Sequence, residues 1–120
     1  MAIDDESPIR GILRELLEEE EHEIVEACNG NDATKKLSIE SVDMVITDLV
    51  MPEKSGIDLI LELKQEYPDL PILALSGGGG ITGRFDYLQI AKLIGANAIM
   101  NKPFQNNEVK QKVSDMLVSN

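Results

Sequence analysis

The chain has 120 residues, a length that suits one domain with one core, and 42% of it is hydrophobic while only 3% is aromatic, so the core has to be aliphatic. Twenty-two acidic side chains against eleven basic ones give a formal charge of -11, which repels phosphate backbones and anionic membranes and instead suits a cation or a basic partner. The longest apolar runs, at 44–47 and 72–75, are too short to span a bilayer, and the first six residues are acidic where a signal peptide is basic, so a cytoplasmic protein is expected.

Short aliphatic runs alternate with segments of helical spacing, five of each, the pattern of an α/β domain with a parallel sheet. Only a stub around Ala2 and Ile3 is available for a first strand before the acidic stretch Asp4, Asp5 and Glu6. Ser7 as N-cap and Pro8 at the first helical position then open a helix whose Ile9, Ile12, Leu13, Leu16 and Leu17 fall on one face. The acidic run 18–21 opposes the negative end of that helix dipole, which predicts a solvated, frayed terminus.

Residues 23–28 read as a second strand. The single cysteine at its end, Cys28, has no partner for a disulfide or a zinc cluster and is expected as a small buried or half-buried hydrophobe. Asn29, Gly30 and Asn31 supply the turn and cap of a short helix containing Ala33 and Leu37. Residues 43–48 make the clearest strand, because Met44, Val45 and Ile46 run without alternation, as in a central strand covered by helices on both faces. Ser55 and Asp58 form a capping-box pattern for a third helix with Ile57, Ile60 and Leu61, and Pro68 marks its end. A fourth strand follows at 71–75, then a glycine-rich loop, a fourth helix at 86–94 stopped by Gly95, a fifth strand at 98–100, and a fifth helix from Gln105 with Val109, Val113, Met116 and Leu117 on one face. Residues 1–120 are read as one domain, with neither linker nor repeat and nothing after the fifth helix to form an output domain.

In open parallel sheets, ligands bind beyond the carboxyl ends of the strands. The polar residues at those ends are Asp4 and Asp5 after the first strand, Asp48 at the third, Ser76 after the fourth and Lys102 after the fifth. Each has a plain structural explanation when taken singly: a cap pair, a turn former before Pro52, a turn hydroxyl and a surface charge. Together they place three carboxylates on one edge, which repel one another unless some are protonated or a cation binds. Magnesium, which prefers oxygens from one or two carboxylates, water and a phosphate, fits a few aspartates better than calcium does. Lys102 would add a point charge for a phosphoryl oxygen, and Ser76 a neutral donor.

Read in order, Ile3-Asp4-Asp5-Glu6, Thr47-Asp48-Leu49-Val50-Met51-Pro52 with Gly56, Ser76-Gly77 and Lys102-Pro103-Phe104 resemble the motifs of receiver domains of two-component response regulators, over essentially the whole chain. The resemblance implies a three-layer, doubly wound, flavodoxin-like fold of five parallel strands in the order 2-1-3-4-5, with helices one and five on one face and the other three on the opposite face. It also implies that Asp48 accepts a phosphoryl group from a phosphohistidine of a sensor histidine kinase or phosphotransfer protein. Magnesium, or manganese in its place, would be bound directly by Asp5 and Asp48, through water by Asp4, and by the backbone carbonyl of Val50. Ser76 would then be drawn to the phosphoryl oxygen, and a protein-interaction surface around strands four and five and helix four would change.

Three departures from that pattern carry expectations of their own. Only Met1 to Ile3 precede Asp4, so the central strand is clipped, at a cost in core contacts and in the firmness of the acidic loop. Ile99 stands where receivers often carry a switching tyrosine or phenylalanine, and reads more simply as a core residue. Gly77 to Gly80 and Gly83 lengthen the loop before helix four; without a Gly-Lys-Ser/Thr sequence it reads as an insertion beside the site and not as a phosphate cradle.

Rival functions lack residues they need. A dehalogenase-type phosphatase that passes through an aspartyl phosphate requires a second aspartate two positions after the nucleophile, where this chain has Val50. A flavin carrier of similar topology requires a hydroxyl-rich phosphate loop where Asp4, Asp5 and Glu6 would repel the phosphate. A receiver-like adaptor that has abandoned phosphorylation is the remaining alternative.

Overall fold

The non-alternating third strand is buried throughout, and the rest of the molecule is arranged around it. In a computed structural model that describes residues 1–51, 54–77 and 87–118, this strand is β3 (Val45–Asp48), and none of its four residues is more than 4% exposed. The other elements are β1 (Ala2–Ile3), α1 (Ser7–Glu18), β2 (Glu26–Ala27), α2 (Gly30–Leu37), α3 (Gly56–Glu66), β4 (Ile72–Gly77), α4 (Tyr87–Ile94), β5 (Ala98–Lys102) and α5 (Asn106–Val118). All strand pairs are parallel, and the order is β2-β1-β3-β4-β5.

Strand alternation divides the core in two. Ile3, Val45, Ile72 and Ala74 point to one face, where they meet Ala33 of α2, Leu59, Ile60 and Leu63 of α3, and Ala91 of α4. Ala2, Ile46, Leu73, Leu75 and Met100 point to the other face, against Leu13, Leu16 and Leu17 of α1 and Val109 and Val113 of α5. The expected three layers are therefore present, with helices one and five opposite the other three. Among the described residues, no helix is long and apolar enough to cross a membrane.

Capping residues act where local chemistry selects them. Asn29 accepts from the Asp32 amide at 2.8 Å, and Ser55 accepts from the Asp58 amide at 3.2 Å. Gly95, at φ 121°, closes α4 in a left-handed conformation that a side chain would strain. Ile99 is half-buried and packs against the α2–α4 side of the core, the simple core role expected of it.

Several local expectations are corrected. Ser7 is already helical, and the preceding Glu6 makes no side-chain cap; the Asp4 carboxylate takes the Glu6 amide at 2.9 Å and orders the turn instead. The acidic run 18–21 is exposed, as expected, but its backbone closes the helix in an ordered turn. Glu21 adopts φ 65°, and the His22 amide bonds to Leu17 O at 3.1 Å and the Glu21 amide to Glu18 O at 3.0 Å, a Schellman closure made without glycine. The second strand pairs over only two residues, so Cys28 lies in the turn beyond it and is exposed. The fifth strand runs on through Lys102, which is thus a strand residue and not a loop residue. The glycine-rich loop beyond Gly77 lies outside the described residues, as does Pro52.

Candidate functional site

Parallel register brings the carboxyl ends of β1, β3, β4 and β5 to one edge. Ile3 pairs with Thr47, Asp48 with Leu75, Ser76 with Asn101 and Gly77 with Lys102. Asp4 and Asp5 directly follow β1, so the two-residue strand still carries the acidic stretch to the end of β3. Asp5, Glu6, Asp48, Val50 and Lys102 line one open depression of about 550 Å³ there. Ser76 is buried at the end of β4, one register step from the residue paired with Lys102.

Lys102 is the electrostatic centre. Its ammonium, with a side chain only 9% exposed, lies 3.0 Å from Asp4, 3.4 Å from Asp48 and 3.7 Å from Glu6. Burial alone would lower its pKa, but the hydrogen bond to Asp4 and the charges of Asp48 and Asp4 raise it, so it stays a cation. Asp48 shows the reverse balance. Burial, and then the negative charge of Asp4, push its carboxyl up to about 6, and Lys102 offsets only part of this.

The backbone beneath Asp48 is held by a close approach. Gly56 donates its amide to Leu49 O at 2.9 Å, and a Cβ on Gly56 would lie 2.1 Å from the Asp48 carbonyl oxygen. Only glycine lets α3 start so near the end of β3. That explains the glycine of the Asp-x-x-Met-Pro segment in steric terms that spacing could not supply. Thr47 Oγ also bonds to the Asp48 carbonyl, at 2.9 Å.

Two participants were not singled out by sequence reasoning. Glu6 belongs with Asp4 and Asp5 to a cluster in which one carboxylate oxygen from each lies within 4.8 Å of the others, while Asp48 joins that cluster through Lys102. Arg10 donates to the Asp4 backbone carbonyl. An arginine one turn into a helix that opens on an acidic loop was the available signal for it.

The donor set fits a hard divalent cation. It consists of carboxylate oxygens, the Asp4 to Glu6 group is tight enough to share one ion, and the positive charge of Lys102 already leans on it. The Asp48 carboxyl is raised first by its burial and then by the negative charge of Asp4, so a cation here would favour its ionised form.

A doubly wound sheet with buried and clustered acids, a hydroxyl and a lysine at its carboxyl edge defines a class of α/β domains whose ligand sites lie beyond the ends of their strands. Comparison with known proteins narrows the class. The family model described as response regulator receiver domain matches residues 1–114, and the chain belongs to that family of signalling domains. It is 31% identical over 117 residues to the alkaline phosphatase synthesis transcriptional regulatory protein PhoP of Bacillus subtilis, covering 98% of this chain but 47% of that protein. It is 32% identical to the chemotaxis protein CheY of Halobacterium salinarum, covering 99% of this chain and 96% of the relative. The chain thus spans about half the length of several transcriptional regulators it matches, and nearly all of the chemotaxis protein. The crystal structure of the receiver domain of NtrX from Brucella abortus superimposes with a TM-score of 0.90 at 26% identity, covering 99% of this chain and 98% of that one.

Proposed function

We propose that this chain is a phosphoryl acceptor in a two-component system, with Asp48 taking the phosphoryl group from a phosphohistidine of a sensor histidine kinase or phosphotransfer protein in the cytoplasm. The observation that carries the reading is the position of Asp48: a carboxylate at the end of the central buried strand, facing Lys102 at 3.4 Å, in a depression open to a donor. Family membership supports it independently.

An Asp48 carboxylate oxygen attacks phosphorus, the bond from phosphorus to the donor imidazole nitrogen breaks, and that nitrogen keeps the electron pair and takes up a proton. Lys102 pairs with a phosphoryl oxygen as its charge develops, and Ser76 donates its hydroxyl to another. Asp5 and Asp48, with the Val50 carbonyl, would hold magnesium or manganese, with Asp4 as a partner through water and Glu6 at its edge. That ion, when bound, supplies charge neutralisation at the phosphoryl oxygens. Turnover beyond gain and loss of the domain's own phosphoryl group is not part of this reading. With Ile99 in place of an aromatic, the output passes through Ser76 and the surface around α4 and β5, and not through a ring rotamer.

Incubation of the whole chain with magnesium and acetyl phosphate tests the reading by intact mass. A gain of one phosphoryl group that depends on magnesium and is absent in Asp48→Asn is expected. No gain by a folded chain would favour the adaptor alternative, and steady release of phosphate from a small phosphoester would favour an enzyme.

A further inference from the structure

Arg10 lies outside the group that would bind or react, yet one guanidinium ties the acidic loop to a neighbouring strand. From α1, its Nη1 donates to the Asp4 backbone carbonyl and its Nε donates to Glu26 Oε1 at 3.1 Å. Glu26 opens β2 and is itself anchored: its second carboxylate oxygen accepts from Arg14 Nε at 2.6 Å, and its backbone carbonyl accepts from Lys36 at 2.6 Å. The Arg10 side chain is 16% exposed and that of Glu26 31%, so the bridge is partly shielded from water.

The loop needs such a tie because its strand is so short. β1 ends at Ile3, and the last backbone ladder contact on this side is the Asp4 amide to Ala27 O, at 3.1 Å. Beyond it, the Asp4 peptide is held by its carbonyl on Arg10, while the Asp4 carboxylate is held by Lys102 and the Glu6 amide. The two cations therefore grip opposite ends of the same residue.

We infer that Arg10, held by Glu26, is a positioning residue for the acidic loop: it fixes the Asp4 peptide so that the Asp4 and Asp5 carboxylates form a ready oxygen cluster, and Glu26 thereby tunes a cation site it does not touch. This rests on the phosphoryl-acceptor reading. The planar fork is what the role requires, because it reaches a carbonyl and a carboxylate in fixed directions, whereas a lysine directs all its donors from one freely rotating ammonium. Partners one step removed from a metal commonly set its affinity through the orientation of its ligands.

The test uses the whole chain and four variants: Arg10→Met, Arg10→Lys, Glu26→Gln and, as a control, Arg14→Met, which removes the other guanidinium on Glu26 without touching Asp4. Magnesium affinity is read by calorimetric titration, and amide exchange of residues 4–7 together with the thermal midpoint is read without metal. Arg10→Met is expected to weaken magnesium about 10-fold or more and to speed exchange in 4–7, Glu26→Gln to do both about threefold, and Arg10→Lys to recover part of the loss. Arg14→Met is expected to lower the midpoint comparably while leaving affinity and loop exchange within about twofold of the parent. Parental affinity and exchange in Arg10→Met overturn the inference, as does Arg14→Met moving both readouts as far as Arg10→Met. A parent that binds no magnesium sinks the functional reading, and the metal-free exchange then still decides whether Arg10 positions the loop.

Discussion

The two halves of the sheet hold their share of the site by different means. β3 and β4 run for four and six residues, and Val45, Leu59, Ile60, Leu63 and Ile72 bury them so fully that Asp48 is fixed by close packing. β1 and β2 pair over two residues each, and the acidic loop beyond β1 is fixed by polar attachments: Arg10 and Arg14 to Glu26, and Lys102 to Asp4. Packing does not titrate, whereas ion pairs answer to proton activity and, where exposed, to salt. The acceptor is therefore set rigidly, and the carboxylates facing it are set adjustably.

The largest break in this contrast comes from the packed half. Gly56→Ala puts a Cβ where the Asp48 carbonyl oxygen stands, and should cost about 3 kcal/mol in urea unfolding while displacing Asp48 enough to suppress its phosphorylation.

A smaller effect, of opposite sign, comes from Asp48 itself. Its folded carboxyl titrates at about 6, against 3.8 ordinarily, so the folded chain binds this proton more tightly than the unfolded one. Without divalent cations, the group's contribution is therefore present below pH about 4 and is lost as pH rises through about 6. Asp48→Asn should remove that decline and gain on the order of 1 to 2 kcal/mol at pH 7 in metal-free buffer, measured by denaturation at several pH values. Magnesium should then stabilise the parent more than the variant. The smallest effect sharpens the contrast from the other side. Glu21→Gly relieves a left-handed residue in the connection that leads to β2, and should raise stability by about 0.5 to 1 kcal/mol without altering phosphorylation.

How much was readable in advance follows the same division. The buried third strand, the caps at Asn29 and Ser55 and the stop at Gly95 announced themselves, because periodicity and local hydrogen bonding decide such features within a few residues. The edge that gathers Asp4, Asp5, Asp48, Ser76 and Lys102 was legible because parallel topology sends every strand end to one side. What escaped depends on contacts remote in sequence. Ser7 loses its cap to a carboxylate that must also meet Lys102, 98 residues away. The role of Gly56 appears only once α3 abuts β3, and Glu21 takes a glycine's conformation because the chain must turn into β2. Cys28 is exposed because β2 stops one residue sooner than its aliphatic run suggests. Arg10 was not singled out, because its role depends on the carbonyl that the short first strand leaves for it to hold.

The Lys102 ammonium, with acids at 3.0, 3.4 and 3.7 Å, supplies the cleft with its own resident counter-ion. A cation arriving from solution therefore takes part in an exchange: it gains the carboxylates only to the extent that they release the lysine, and its net affinity is the difference between two large attractions. The released ammonium is tethered beside the newcomer. An anion with several oxygens would find that charge already in place, so the two ligands need not arrive in a fixed order to help one another.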